Sequence, residues 1–387
     1  VAVVKVDRAR KGHAYRVRWQ DDQRQWRSKS FDRKKDADAY DAEIVRAKRS
    51  GTLDHLDRGK ITLRDFTRLW WTQYVETHLA ASTRTQYKAY VDQHLIPALG
   101  STPLNRLDVA RIQKLQAELL ADGVGQESAR KVIAILQGIL QRAVEWGYLQ
   151  VNPAKAVRKL PQSRTQTIRA LAPETIEKMR ASLLACKPKR VRDATLVSVL
   201  AYSGVRPQEA LALRWSDIGA KTIRVDKAIS LGQEKGTKTG KVRSVRLLTT
   251  LRDDLKEWRK VSGGKSHALV FPRPDGEPWN ETDYRNWRRR VYRPLGDTVG
   301  IDKAQPYELR HSFASLLFQE GKTNHVDIAA QMGHNLQTLY STYTHTIEEL
   351  RDTPRQPVET LIRAARKKVA SAKAAPILPQ STRTKKK

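Results

Sequence analysis

Two arginines, a histidine and a late tyrosine carry the chemistry this sequence suggests. Arg206 lies in AYSGVRPQEALALRW and Arg310 in QPYELRHSFAS, while His334 precedes Tyr343 by nine positions in QMGHNLQTLYSTYTH. A guanidinium is a planar fork that matches two phosphate oxygens at once, so paired arginines suit a phosphate group. Cleaving a phosphodiester needs a nucleophile, positive charge against the non-bridging oxygens and a proton for the leaving oxygen. A phenol, with an ordinary pKa of about 10, becomes a nucleophile only when cations stabilise the phenolate or a base takes its proton. Arg206 and Arg310 could clamp the phosphate, His334 could hydrogen-bond it or assist the protons, and Tyr343 could attack. Tyr340, three residues earlier, is the rival nucleophile. A lysine from the Gly- and Lys-rich stretch 232–241 could protonate the leaving sugar oxygen. The product, a phosphotyrosyl ester and a free hydroxyl, keeps the energy of the broken bond, so rejoining requires neither ATP nor a metal.

Composition agrees with a polyanionic partner. The 387 residues hold 73 Lys plus Arg against 41 Asp plus Glu, a formal net charge of +32. Neutralising phosphates releases counterions and drives association, which favours nucleic acid over a membrane surface. No apolar run is long enough to span a bilayer, and no signal-peptide pattern opens the sequence. The single cysteine, Cys186, offers neither an intrachain disulfide nor a zinc cluster, and reads as an inert thiol in a reducing cytosol. Ser262-Gly263-Gly264-Lys265-Ser266 resembles the end of a P-loop, but Arg259 stands where the first glycine belongs, so nucleotide binding is not expected there. No carboxylate cluster suggests a two-metal nuclease.

The elements that must position these residues fall into blocks. Residues 1–55 look like a small α+β module. Period-two alternation at 13–19 and 25–31 marks strands, Asp21-Asp22 a hairpin turn, and Ala37, Tyr40, Ile44 and Ala47 a helix stripe. Arg16, Arg18, Arg27 and Lys29 on the outer strand face suit a sheet laid against DNA; a solvated basic face is the plainer alternative. Residues 61–155 read as four amphipathic helices in a bundle. Thr83, Arg84, Thr85 and Lys88 sit at a helix start, where backbone N–H groups favour phosphate, although Ser82 or Thr83 could equally be a plain cap. Residues 156–169 form a polar linker, and 170–355 the largest unit. There, short strands at 221–225 and 243–247 flank the 232–241 loop. Residues 356–387 hold a short helical stretch and a basic tail that adds sequence-blind charge. The expected fold is multidomain and mainly α with small β-sheets.

These segments resemble the tyrosine recombinase family, and the whole chain is similar to its phage-type integrases. The family's first arginine box, with an acidic residue three positions on, matches Gly204-Val205-Arg206-Pro207-Gln208-Glu209. Its second box, His-x-x-Arg-His, matches Tyr307-Glu308-Leu309-Arg310-His311. Its Gly-His pair followed nine residues later by tyrosine matches Gly333-His334 and Tyr343, and its lysine between two strands falls on Lys238, with Lys235 and Lys241 as alternatives. Tyr307 replaces the usual histidine; a phenol can hydrogen-bond a phosphate but is no cation near neutral pH, so His311 or a water could cover that role.

The resemblance implies an arm-type DNA-binding domain at 1–55, a core-binding domain at 61–155 and a catalytic domain at 170–355 that clamp a duplex. Glu209 would orient Arg206, and His311 would be structural or part of the site. The stretch near Val358 would dock on a neighbouring subunit. The expected partners are double-stranded DNA with core and arm sites and a homotetramer on DNA, with a host DNA-bending protein and a directionality factor as further candidates. No cofactor and no metal are expected, and the compartment would be the bacterial cytosol. Two readings compete with a phage or mobile-element integrase: DNA relaxation like that of a type IB topoisomerase, and a non-catalytic DNA-binding protein that retains the fold.

Overall fold

The computed structural model describes residues 2–7, 13–21, 24–49, 58–161, 169–236, 240, 242–349 and 354–371. Lys238, Lys241, Asp22, residues 162–168 of the linker and the tail beyond 371 lie outside the described residues. Two compact units divide the chain, Val1–Thr165 and Gln166–Lys387. Among the described residues no helix is long and apolar enough to cross a membrane.

The first unit opens with an antiparallel sheet, β1 (Ala2–Asp7), β2 (His13–Gln20) and β3 (Trp26–Phe31), covered by helix α1 (Lys34–Arg49). The stripe Ala37, Tyr40, Ile44 and Ala47 buries against Val17 and Trp19 as the periodicity predicts. The register divides the expected basic face. Arg16 pairs with Ser30, Arg18 with Ser28 and Gln20 with Trp26, whereas Val17 pairs with Lys29 and Trp19 with Arg27. Directly opposed residues share a face, so Arg16, Arg18 and Trp26 point away from α1, and Arg27 and Lys29 point to its side. The Lys29 ammonium stands 4.3 Å from the Tyr40 ring centre, and Arg27 Nε donates to Asp21 at 2.9 Å. A single outer face bearing all four cations is therefore corrected to a face with Arg16 and Arg18, joined by a Trp26 that is 65% exposed.

The bundle follows with α2 (Leu63–Trp70), α3 (Ala81–Tyr90), α4 (Val109–Ala121) and α5 (Gln126–Glu145). Thr62 caps α2 and Asp108 caps α4 by accepting from the amides of Asp65 and Arg111. Neither Ser82 nor Thr83 caps α3. The helix starts one residue earlier, with Ala80 at the cap position and no side-chain cap. The Thr83 and Arg84 amides both donate to the Ala80 carbonyl, at 2.9 and 3.0 Å. Thr85 Oγ1 bonds back to Ala81, and Lys88 pairs with Asp92 at 2.9 Å.

The second unit packs α6 (Pro173–Ala185), α7 (Val191–Ser203), α8 (Pro207–Ala212), α9 (Thr249–Ser262), α10 (Glu281–Trp287), α11 (Pro306–Glu320), α12 (His325–Met332), α13 (Leu336–Glu349) and α14 (Val358–Ser371) around one apolar core. Proline begins α6, α8 and α11, where its missing N–H costs nothing. The strands β4 (Thr222–Val225) and β7 (Arg243–Arg246) pair as expected. The loop between them is more structured than its composition suggests, because β5 (Lys227–Ser230) and β6 (Gln233–Gly236) form a hairpin. Helix α14 packs on its own unit in the single chain. Arg366 lies 2.6 Å from Asp254 and 3.2 Å from Glu177, and Val358 and Ile362 are fully buried.

Candidate active site

Helix ends gather the predicted residues. Helix α7 stops at Gly204 in a left-handed turn, φ 63°, and two residues later Arg206 occupies the cap position of α8. The third helical residue, Glu209, reaches back to accept from the Arg206 amide at 2.7 Å. Helix α12 stops at Gly333, φ 60°, which delivers His334 immediately before α13 and its Tyr343. Helix α11 contributes Tyr307, Arg310 and His311 from its first two turns.

The last carbonyls of a helix have no partners within it. At the end of α12 three in succession take guanidiniums from three parts of the chain. The Gln331 carbonyl accepts from Arg243 Nε at 2.9 Å, the Met332 carbonyl from Arg310 Nη2, and the Gly333 carbonyl from Arg206 Nη2 at 3.0 Å. Arg310 also donates from Nη1 to the Gly204 carbonyl at the end of α7. Its side chain is 0% exposed, and burial, followed by the nearby Arg206 and Arg243, lowers its pKa to about 10, so it stays charged at neutral pH.

Glu209 is the carboxylate of this cluster. It accepts from Arg206 Nη1 at 2.9 Å and from both terminal nitrogens of Arg243, at 3.0 and 2.5 Å. Burial alone would raise its pKa, but the bonds and charges of Arg243 and Arg206 outweigh it and hold the group below the usual carboxylate value. His334 Nε2 lies 3.0 Å from Arg310 Nη2. Because a guanidinium only donates, Nε2 accepts and the ring proton sits on Nδ1. Burial and then the charges of Arg310 and Arg206 push the His334 pKa down to about 3, which keeps the ring neutral.

Tyr343 is 0% exposed. Its hydroxyl lies 2.8 Å from His311 Nδ1, and its ring stacks 6.4 Å from that of His334. Burial raises the phenol pKa well above its ordinary value, partly offset by Arg310. His311 is likewise lowered, by burial and then Arg310, to about 4. Tyr340 is 44% exposed and bonds His325 Nδ1 at 3.0 Å, away from this cluster. Tyr307 lies with its ring 5.8 Å from the Arg310 guanidinium and 5.1 Å from the His311 ring.

Arg206, Arg310, His334, Glu209, His311 and Tyr343 thus converge, with Tyr307 at the edge and Lys238 outside the described residues. Sequence reasoning missed Arg243. The signal was its parity, since Arg243 stands two residues before the core residue Val245 and opposite the buried Val225. An arginine on the inward side of a strand needs a buried partner.

Comparison with known proteins identifies the family. The phage integrase family matches residues 169–349, and the phage integrase N-terminal SAM-like domain matches residues 62–120. The prophage integrase IntR of Escherichia coli (strain K12) is 26% identical, over 73% of this chain and 76% of the relative. The integrase of Mycobacterium phage L5 is 25% identical, over 88% and 92%. The tyrosine recombinase XerC of Xylella fastidiosa (strain 9a5c) is 28% identical, over 70% and 88%. Among solved structures, the Tn1549 transposon integrase in complex with transposon right end DNA gives a TM-score of 0.61 at 16% identity, over 80% of this chain and 100% of that one. A lambda integrase tetramer bound to a Holliday junction gives 0.58 at 17%, over 88% and 94%. The two family models lie along the chain in the order that the helical bundle and the arginine cluster occupy, and the chain belongs to the phage integrase family of tyrosine site-specific recombinases.

Proposed function

We propose that this recombinase integrates or excises a phage or other mobile element by cutting double-stranded DNA through Tyr343. The phenol oxygen bonds to phosphorus, the P–O5′ bond breaks, and a 3′-phosphotyrosyl ester forms. The 5′ oxygen takes a proton from Lys238 and leaves as a hydroxyl. A 5′-hydroxyl from the partner duplex then reverses the step, so no external energy source is needed. Arg206 and Arg310 hold the non-bridging oxygens, and neutral His334 offers its Nδ1 proton to one of them. His311 receives the phenol proton on Nδ1, a role within reach of a neutral imidazole.

The observation that carries this reading is the convergence of Arg206 and Arg310 on adjacent carbonyls, Gly333 and Met332, directly before His334, with Tyr343 stacked on that histidine. Tyr343 is buried, so the proposed attack requires that DNA engagement expose the phenol. Residues 61–155 and 170–355 are assigned to core-site binding and catalysis, and the sheet at 1–55 to arm sites through Arg16 and Arg18. Four copies on two duplexes would exchange strands in pairs. The lambda integrase tetramer on a junction and the DNA-bound Tn1549 enzyme support that assembly by likeness of fold.

The test uses labelled, nicked fragments from the flanks of the element. The wild-type protein should leave a covalent protein–DNA adduct on denaturing gels, and Tyr343→Phe should abolish it while binding persists. An adduct surviving in Tyr343→Phe would move the nucleophile elsewhere. Relaxation of any plasmid, with no site requirement, would favour the topoisomerase-like reading.

A further inference from the structure

Arg243 lies at the start of β7, two positions past the loop segment that carries Lys238. Its side chain is 9% exposed and spends every nitrogen inward: Nε on the Gln331 carbonyl at 2.9 Å, Nη1 and Nη2 on the two oxygens of Glu209 at 3.0 and 2.5 Å. This two-pronged contact is the strong form of arginine–carboxylate pairing, which a lysine cannot reproduce. Glu209 therefore faces two guanidiniums at once, Arg243 on both oxygens and Arg206 on one. The neighbouring backbone is shaped for the same contact. A Cβ at Gly333 would stand 3.3 Å from the Arg243 guanidinium, in a left-handed turn that side chains avoid.

We propose that Arg243 is a positioning residue of the recombination site, which takes up the charge of Glu209 so that the positive charges of Arg206 and Arg310 are not cancelled before the scissile phosphate meets them. The inference rests on the assignment of these two arginines to the phosphate. Arg206, Arg243 and Arg310 give three positive charges and Glu209 one negative, a net of two, with both imidazoles neutral. A phosphodiester carries one negative charge, and the phenol oxygen, whose proton passes to His311, brings a second to phosphorus in the transition state, so the guanidinium cluster offers two positive charges where two negative ones gather. Without Arg243 the net falls to one, and Glu209 retains only Arg206, whose guanidinium it then holds against the carboxylate instead of the phosphate. Arg243 has a second consequence for geometry. Through Gln331 it ties the strand that leaves the Lys238 loop to the helix end that presents His334, and Arg246 reinforces this by donating its amide to the Gln331 side chain at 3.2 Å.

The test is a charge-balance rescue, read as covalent adduct formed on nicked substrate. Arg243→Met should lower the adduct-forming rate by ~10²-fold, the scale on which a single electrostatic group acts at such sites, with substrate binding held within a few fold. Adding Glu209→Gln should recover at least about tenfold, because removing the carboxylate restores the net charge of two while the amide oxygen still accepts from the Arg206 amide. A merely structural arginine predicts the reverse, a double variant as slow as Arg243→Met or slower, and that result would overturn the proposal. Should Arg243→Met fail to fold by thermal melting, Arg243→Lys keeps the question open to measurement. It should be partly active and gain from Glu209→Gln less than Arg243→Met would; full activity in Arg243→Lys would sink the two-pronged contact. Tyr343→Phe on the same substrate separates the two levels, since an adduct that persists there refutes the site itself and not the role of Arg243.

Discussion

His311 Nδ1 lies 2.8 Å from the hydroxyl of Tyr343, and both side chains sit in the shelter of Arg310. The pair resolves a conflict that composition could not expose. A phenol whose burial raises its pKa is a poor nucleophile, yet the groups that would activate it, Arg206 and Arg310, are occupied with carbonyls next door. A neutral imidazole at hydrogen-bond distance supplies the missing acceptor, and burial beside a guanidinium is what keeps it neutral.

Replacing His311 by Leu should therefore slow adduct formation by ~10²-fold near neutral pH, the usual weight of a positioned proton acceptor. The defect should narrow only in strongly alkaline solution, beyond the ordinary phenol value of about 10, because burial holds the Tyr343 phenol well above it. A rate ratio between wild type and His311→Leu that stays constant across that range would remove the acceptor role. The same variant leaves a buried hydroxyl unpaired, at a cost of about 1–3 kcal/mol in folding, so melting curves should accompany the kinetics.

Stability should depend on pH through the same histidines. In the native state His311 titrates at about 4 and His334 at about 3, against an ordinary 6.5. As pH falls below 6.5 the unfolded chain binds protons that the native chain refuses, so stability drops through the window from about 6.5 down to the native values. Above about pH 7 these two groups contribute no slope. Melting temperature should fall on acidification through that window, and the fall should be shallower in His311→Leu than in the wild type. Equal slopes would show that His311 is not held neutral.

Arg206, Arg310, His334 and Tyr343 were legible because each belongs to a short local pattern at a helix start, a helix end or a helix face. What the patterns could not convey is depth. Tyr340 and Tyr343 are less than one turn apart on α13, and only tertiary packing makes one 44% and the other 0% exposed. Arg243 went unnoticed within the strand at 243–247, since a strand shows alternation but not which side meets a carboxylate. The β5–β6 hairpin was hidden for a different reason. Every residue of β6 is exposed, so it leaves no apolar alternation, and the cross-strand ion pair of Glu234 with Lys227 is polar as well. The docking of α14 on its own unit turned on a buried ion cluster, Glu177, Arg180, Asp254 and Arg366, whose members are scattered along the sequence.

The amino-terminal sheet offers a comparison of its two faces. If Arg16 and Arg18 meet arm-site phosphates, Arg16→Ala with Arg18→Ala should weaken arm binding and reduce the salt slope by ~0.9 per lost contact. Arg27→Ala with Lys29→Ala should leave the slope unchanged, because Lys29 lies over the Tyr40 ring and Arg27 is paired with Asp21. Filter or anisotropy titrations at several salt concentrations decide it; equal slope losses in both pairs would mean that the whole rim, and not one face, meets DNA.

Two glycines with the same backbone angle should behave differently. Gly204 and Gly263 both have φ 63°, but a Cβ at Gly204 would stand 2.6 Å from Phe313 and 2.8 Å from the Met332 sulfur, while at Gly263 it meets nothing. Gly263→Ala should cost only the left-handed strain, about 1–2 kcal/mol. Gly204→Ala adds overpacking of about 1–3 kcal/mol. It also displaces the carbonyl that Arg310 Nη1 holds, so cleavage should fall more than stability alone explains. Denaturant melts of both variants, set beside adduct formation under conditions where both remain folded, separate the two effects. If Gly204→Ala cleaves at the wild-type rate while folded, the Gly204 carbonyl is not what aims Arg310.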